Sequence, residues 1–164
     1  MLKMSDNKEI IEKLAKSVRQ KINLVEKNVN MLDVFTELDI KFEENESNEI
    51  VEHVRKESNG EYVISLNRTY DPCSPNDKFK LAHELGHIFL HLNLSNDDIM
   101  GSNQAEYDAN EFAAHFLMPT NLFLEEICEL TNENKIDVDD LATVFGVSYN
   151  AALTRGRFLG VFAW

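Results

Sequence analysis

The feature that most constrains this chain is the pentapeptide His83-Glu84-Leu85-Gly86-His87, within the segment KFKLAHELGHIFLHL. On a helix of about 3.6 residues per turn, the two histidines lie one turn apart and about 40° around the axis, so their imidazoles can reach one metal ion. Glu84 stands beside them, where its carboxylate can accept a proton from a water molecule on the metal. The pentapeptide therefore predicts half of a zinc site, with His83 and His87 as ligands and Glu84 as the catalytic base.

The residues before the pentapeptide predict that it lies on a helix. Ser74 is a favourable N-cap, Pro75 suits the first helical position and Asp77 places an acidic group in the first turn. The apolar positions that follow recur at helical spacing, so the histidines are not needed to fill the core. These positions are Phe79, Ala82, Leu85, Phe89 and Leu92.

A second helix, predicted from Gln104 to Leu117, supplies candidates for a third ligand. A zinc site with two histidines commonly takes a third protein ligand and leaves its fourth position to water, and a glutamate from a following helix meets that need. Glu106 is our candidate, and Asn110, one turn later, is placed to hydrogen-bond a ligating imidazole. Glu111 is the rival acid, but it lies about 140° from Glu106 around the helix, so we expect it to face solvent.

Two further histidines lie on these helices. His91 continues the four-residue spacing and lies about 80° from His83, which places it at the rim of the site as a support for a ligand or a donor to substrate. His115 lies about 180° from Glu106, so we expect it to point away from the metal in a structural or exposed position.

The first part of the chain combines helical patterns with strand patterns. Apolar residues recur at helical spacing over residues 6–27 and again over 31–38. Strands are predicted at 40–42 and 50–54 and, after the turn signal Asn59-Gly60, in one more segment that could align an extended substrate by edge pairing. That segment consists of Tyr62, Val63, Ile64, Ser65 and Leu66.

The last third of the chain is predicted to be helical. Residues 122–130 form one amphipathic pattern, and residues 137–153 read as two helices joined at Gly146, a pattern that resembles a helix-turn-helix. The second of these helices offers mostly alanine, asparagine and tyrosine, with only Arg155 and Arg157 nearby as cations, so we expect no direct contact with nucleic acid.

The length and charge of the chain limit the functions that it can have. A chain of 164 residues suits one domain, which we divide into N-terminal helices and strands (1–58), a metal-site core (60–119) and a helical C-terminal part (120–164). A net charge of -13 disfavours nucleic acid as the main ligand. Two cysteines, no signal-peptide pattern and no apolar run that could span a membrane predict a cytoplasmic protein that binds no membrane.

The segments AHELGHIFLH and EYDANEFAAHFLMP together resemble the ImmA/IrrE family of zinc-dependent metallopeptidases. The resemblance is strongest over residues 60–119 and implies a zincin-like fold, zinc ligation by His83, His87 and Glu106, and a catalytic role for Glu84. Members of this family act on helix-turn-helix repressors encoded nearby, often on phages or mobile elements. The partner that the resemblance implies is therefore a transcriptional repressor.

These observations predict an α+β fold in which a small antiparallel sheet precedes the metal-bearing helices. The function that we expect is a zinc-dependent endopeptidase that cuts a regulatory protein, with Mn²⁺ as an alternative metal because histidine and glutamate suit several divalent ions. The alternative is a zinc-containing binding module that antagonises a repressor, or acts in a toxin-antitoxin pair, without cutting its partner. An intact Glu84 favours the enzyme, because a binding module has no chemical need for a base there. The sequence does not fix the oligomeric state.

Overall fold

The computed structural model of the protein describes residues 4–44, 53–66, 71, 74–92, 102–131 and 136–164. Within these ranges the fold is α+β, as predicted, with seven helices and three strands. The elements in chain order are α1 (Met4–Lys21), α2 (Met31–Glu37), β1 (Ile40–Glu44), β2 (His53–Lys56), β3 (Tyr62–Leu66), α3 (Pro75–Leu90), α4 (Asn103–Leu117), α5 (Thr120–Leu130), α6 (Val138–Phe145) and α7 (Tyr149–Phe158). None of the described helices is long and apolar enough to cross a membrane.

The sheet is mixed, which corrects the prediction of an antiparallel sheet. Strands β2 and β3 form an antiparallel hairpin around Gly60, whose φ of 89° suits glycine in the turn. Strand β1 pairs in parallel with the other side of β3, with Ile40 opposite Tyr62 and Glu44 opposite Leu66. The strand order is therefore β1-β3-β2, with β3 in the centre.

The central position of β3 also bears on substrate binding. Its residues pair with β1 on one side and with β2 on the other, so its main-chain groups face neighbouring strands rather than an open edge. The predicted edge pairing of a substrate with Tyr62, Val63, Ile64, Ser65 and Leu66 is therefore wrong. Among the described strands, the two edges of the sheet belong to β1 and β2.

Helix α1 is shorter than its apolar pattern predicts. The pattern extends over residues 6–27, but the helix ends at Lys21 and Asn23 adopts a φ of 51°. Asparagine tolerates this left-handed conformation better than most residues do, and the chain leaves the helix axis there. Helix α3 begins as predicted, with Pro75 in its first turn and the Ser74 side chain accepting a hydrogen bond from the Asp77 N–H.

The core takes buried residues from all seven described helices and from the sheet, and α3 and α4 pack together within it. Ile64 of β3 and Leu85 of α3 are fully buried, and three aromatic rings extend the core along the two helices. The rings of Phe89, Phe112 and Phe116 stack in sequence, with centroid distances of 6.1 Å and 5.8 Å. This stack fixes the rotation of α4 about its axis and therefore the direction in which its polar face points.

Gly86 sets the distance between α3 and α4. A Cβ atom at this position would lie 3.1 Å from both Cα and O of Ala109 and 3.2 Å from Cβ of Phe112. Two of these three atoms belong to the backbone of α4, so the contact can be relieved only by moving the helices apart. The mid-helix glycine thus allows a close approach of the two helices.

We expect Gly86→Ala to lower the free energy of unfolding by about 1 kcal/mol, because overpacking outweighs a gain of about 1 kcal/mol in helix propensity. Gly86→Leu should cost about 3 kcal/mol, since leucine also favours helices and its larger side chain must displace α4. Urea unfolding of the two variants and the wild type measures both values. Helix propensity alone gives the opposite sign for alanine, so a more stable Gly86→Ala variant would contradict this account of the packing.

Two buried arginines bind the carboxyl end of α4. Arg19 donates from Nη1 to the Phe116 carbonyl at 2.9 Å, and Arg155 donates from Nε to the Met118 carbonyl at 3.1 Å. Both side chains are buried, with 5% and 6% exposed. The terminal carbonyls of a helix lack partners within the helix and carry partial negative charge, so these cations satisfy them. Helices α1 and α7 are thereby fastened to the end of α4.

His115 lies beside Arg155 and away from the histidines of α3, as predicted. Arg155 Nη2 lies 3.1 Å from His115 Nδ1, which makes this ring nitrogen an acceptor, and His115 Nε2 lies 3.8 Å from Glu111. Burial, followed by the positive charge of Arg155, lowers the pKa of His115 to about 4. The ring is therefore neutral at pH 7 and has a structural position.

This depressed pKa predicts a pH dependence of stability. Between about pH 6.5 and about 4 the unfolded chain binds a proton at His115 and the folded chain does not. The stability that the neutral His115 ring contributes to the folded state is therefore fully present above about pH 6.5 and is lost as the pH falls toward about 4. We expect a loss of about 2 kcal/mol over this range, less than the full shift implies because the ring retains some solvent contact. Urea unfolding at pH 4.5 and pH 7 should show a smaller pH dependence for His115→Gln than for the wild type. Equal pH dependence in the two proteins would contradict the prediction.

Candidate metal centre

The polar faces of α3 and α4 meet in one cluster of His83, His87 and Glu106. Nε2 of His83 and Nε2 of His87 lie 3.0 Å apart. One carboxylate oxygen of Glu106, Oε2, lies 3.2 Å from His83 Nε2, and the other, Oε1, lies 3.4 Å from His87 Nε2. The structure therefore brings together the three residues that the sequence nominated, and they form a group able to hold a metal ion.

The spacing of these atoms fits zinc. Ligand atoms at about 2.0–2.1 Å from a tetrahedral zinc ion lie about 3.3 Å from one another. The two Nε2 atoms are 3.0 Å apart, and each is 3.2 or 3.4 Å from a different oxygen of Glu106, which is close to this spacing. Two imidazoles and one carboxylate match a catalytic zinc site, which takes three protein ligands and leaves one position for water. The set also suits Mn²⁺, so the residue types do not fix the metal.

Burial differs among the three residues. The side chain of His87 is only 6% exposed, that of His83 is 15% exposed, and that of Glu106 is 49% exposed. Burial and then the neighbouring His83 lower the pKa of His87 to about 4. His87 is therefore neutral at pH 7, and its Nε2 can offer a lone pair without first losing a proton.

Asn110 orients the first imidazole. Its Oδ1 lies 2.9 Å from Nδ1 of His83, and because an amide oxygen only accepts, Nδ1 must carry the proton. The other nitrogen, Nε2, then faces the cluster without a proton, as a metal ligand requires. Asn110 thus has the position that its one-turn spacing from Glu106 predicted.

His91 contacts the second imidazole, and support of a ligand was one of the two roles predicted for it. Nδ1 of His91 lies 3.0 Å from Nδ1 of His87, and the His91 side chain is buried, with 5% exposed. One nitrogen must donate and the other accept, and only a proton on His87 Nδ1 leaves His87 Nε2 free for a metal. The sequence signal for this contact is the spacing of four residues between His87 and His91.

The contact predicts the effect of replacing His91. His91→Phe should weaken zinc binding about 10- to 100-fold, because it removes the group that orients the His87 ring. His91→Gln should retain most of the affinity, since its amide oxygen can accept the same proton. Competition with a chromogenic chelator measures both dissociation constants, and an equal loss in the two variants would show that the ring only fills space.

Glu84 and Glu111 have different surroundings. Glu84 follows His83 directly on α3, and its side chain is buried, with 7% exposed. Glu111, the rival acid, lies 3.7 Å from Lys8 Nζ and 3.8 Å from His115 Nε2, and its side chain is 15% exposed. The metal-binding group contains Glu106 and not Glu111.

Comparison with known proteins shows which family this chain matches and which solved structure shares its fold. Residues 35–156 match the model of the Peptidase M78 family, described as the IrrE N-terminal-like domain. Among solved structures, a Mycobacterium tuberculosis transcriptional regulator shares the fold, with a TM-score of 0.58 and 18% sequence identity. The match covers 93% of this chain and 46% of that regulator, so the chain spans about half of its length. No match was found among curated proteins.

Proposed function

The chain belongs to the Peptidase M78 family of IrrE N-terminal-like domains, and from this premise we propose that it is a zinc-dependent endopeptidase that cuts a regulatory protein, such as a helix-turn-helix repressor of a phage or mobile element. The observation that carries the proposal is the cluster of His83, His87 and Glu106, whose side-chain atoms lie close enough to share one metal ion, with Glu84 next to the first ligand. Zinc-binding histidines followed by an acidic base are typical of metallopeptidases.

The residues of the cluster have distinct tasks in this mechanism. A zinc ion held by His83, His87 and Glu106 supplies Lewis-acid activation of water and of the scissile carbonyl. Glu84 accepts a proton from the attacking water and delivers it to the amine that leaves when the peptide bond breaks. Asn110 and His91 keep the two imidazoles in the tautomer and orientation that ligation needs.

The charge of the chain supports the proposed class of substrate. A net charge of -13 attracts basic partners over several ångströms, and repressors that bind DNA present basic surfaces. We place the reaction in the cytoplasm, where such repressors bind DNA.

The test compares new protein N-termini in host cells that express the wild type with those in cells that express Glu84→Gln. A regulator cut only in the presence of the wild type would establish the peptidase and name its substrate. If both proteins are folded and zinc-loaded, relieve repression equally and produce no new N-terminus, the function is that of a non-cutting antagonist of the repressor.

A further inference from the structure

A cleft runs between α1, α4 and α7 beside the metal centre. It encloses about 680 Å³, within the range typical of ligand-binding pockets. Its walls include Phe79, Tyr107, Ala114 and Met118, and Thr154 and Arg155 of α7 close the opposite side. It is also lined by Lys8, Glu9, Glu12 and Glu111. The cleft therefore combines apolar walls with charged groups of both signs, among them the buried Arg155.

The cleft reaches the metal centre's surroundings at Asn110, on the Nδ1 side of the His83 ring. Asn110 lines the cleft, and its side-chain oxygen also contacts the ligand His83. Phe79, which also lines the cleft, lies on α3 one helical turn before His83. From Asn110 to Met118 the cleft follows α4 for about 12 Å, a length that three or four residues of an extended chain fill. A substrate segment a few residues away from the scissile bond would therefore lie within reach of the cleft.

Arg155 provides an unsatisfied donor in this cleft. Its Nε binds the Met118 carbonyl and its Nη2 contacts His115 and Thr120, but its Nη1 has no acceptor among the residues that the structure describes. The side chain is only 6% exposed. A buried donor without an acceptor is costly, and the main-chain carbonyl of a bound peptide would satisfy it.

The mouth of the cleft has the composition of a protein interface. Tyr107 and Phe158 remain 38% and 53% exposed, and Lys8 Nζ lies between them, 5.6 Å and 4.8 Å from the two ring centroids. Trp164 packs edge-on against Phe158 and is 78% exposed. Exposed aromatic residues of this kind are enriched where proteins bind one another. A second copy of this chain is a poor occupant, because both copies would carry a net charge of -13.

We infer that this cleft is the subsite that binds the substrate chain of the proposed peptidase, taking three or four residues of an extended segment with an apolar side chain between the walls and a main-chain carbonyl on Arg155 Nη1. The inference rests on the proposed function, since it assigns the occupant as a segment of the protein substrate. Such a subsite would give the proposed peptidase a means of selecting one site in a regulator.

The test uses hydroxamates, which bind zinc directly, as probes of the zinc-loaded protein. Acetohydroxamate reaches only the metal, whereas hydroxamates that carry an apolar tripeptide on the amino-terminal or carboxyl-terminal side also reach beyond it. Three proteins are compared, namely the wild type, Thr154→Trp and Leu153→Trp. Thr154 lines the cleft and is exposed, so tryptophan there fills the space; Leu153 is the neighbouring residue and does not line the cleft.

We expect one of the two tripeptide hydroxamates to bind the wild type about tenfold or more tightly than acetohydroxamate, the gain expected from burying one apolar side chain. Thr154→Trp should lose that gain and keep its affinity for zinc and for acetohydroxamate, and Leu153→Trp should retain the gain. An absence of any gain in the wild type, or an undiminished gain in Thr154→Trp, would overturn the inference.

The result for the cleft can be distinguished from the result for the proposed peptidase function. If a regulator is cut in cells and Thr154→Trp cuts it as fast as the wild type, the peptidase stands and the cleft is not its subsite. If Thr154→Trp loses the gain while no regulator is cut, the cleft is a peptide-binding site and the proposed peptidase function fails.

Discussion

Purified protein that carries Glu84→Gln should keep its zinc and cut its regulator about 10²- to 10⁴-fold more slowly than the wild type, the usual contribution of a positioned acid or base. Glutamine has nearly the same shape as glutamate and cannot accept the proton of the attacking water. Because Glu84 is buried, with 7% exposed, solvent does not readily replace it. Single-turnover cleavage measures the chemical step directly.

Zinc content and thermal stability are the controls for this variant. Both should equal those of the wild type, because Glu84 is not one of the three grouped ligands. A Glu84→Gln protein that is folded, zinc-loaded and as fast as the wild type would remove Glu84 from the mechanism.

The second large effect concerns the third ligand. Glu106→Gln should weaken zinc binding by about 100-fold or more, since loss of a group that merely orients a ligand already costs about 10- to 100-fold. The carboxylate of Glu106 lies within 3.4 Å of both histidine Nε2 atoms and brings the negative charge that the neutral imidazoles lack. Chelator competition at pH 7 gives the dissociation constant.

Glu111→Gln is the matched control, because it makes the same chemical change five residues later on the same helix. Glu111 contacts Lys8 and His115, so its replacement should leave zinc affinity within about twofold while weakening an ion pair worth at most about 1 kcal/mol. A larger loss of zinc affinity in Glu111→Gln than in Glu106→Gln would reverse the assignment.

The arrangement of the candidate site was largely predictable because it follows from helical periodicity. His83 and His87 lie on one face by their spacing, and the one-turn spacing from Glu106 to Asn110 placed the amide beside a ligand. The position of Glu111 outside the ligand group also followed from its angle around the helix. The expectation that it faces solvent was wrong, because its side chain is 15% exposed and lies 3.7 Å from Lys8 Nζ of α1. Local geometry is sufficient where two long helices carry all the groups.

The features that were missed depend on contacts between distant segments. The hairpin of β2 and β3 has a local turn signal, but nothing local indicates that β1 pairs in parallel with β3, which leaves β3 without an open edge. The burial of Arg155 is another example, because its position follows from the Met118 carbonyl 37 residues away. In the sequence, Arg155 stands near the helix-turn-helix-like pattern, and nothing local indicates that its side chain is buried.

The close contact of α3 with α4 at Gly86 and Ala109 gives a bound metal a second effect. His83 and His87 lie on one helix and Glu106 on the other, so an ion held by all three would link the two helices near this contact. Each tenfold rise in free zinc above the dissociation constant then adds about 1.4 kcal/mol to the free energy of unfolding. The supply of metal in the cell would thereby set the lifetime of the folded protein as well as its activity. Zinc starvation would lower the amount of folded protein.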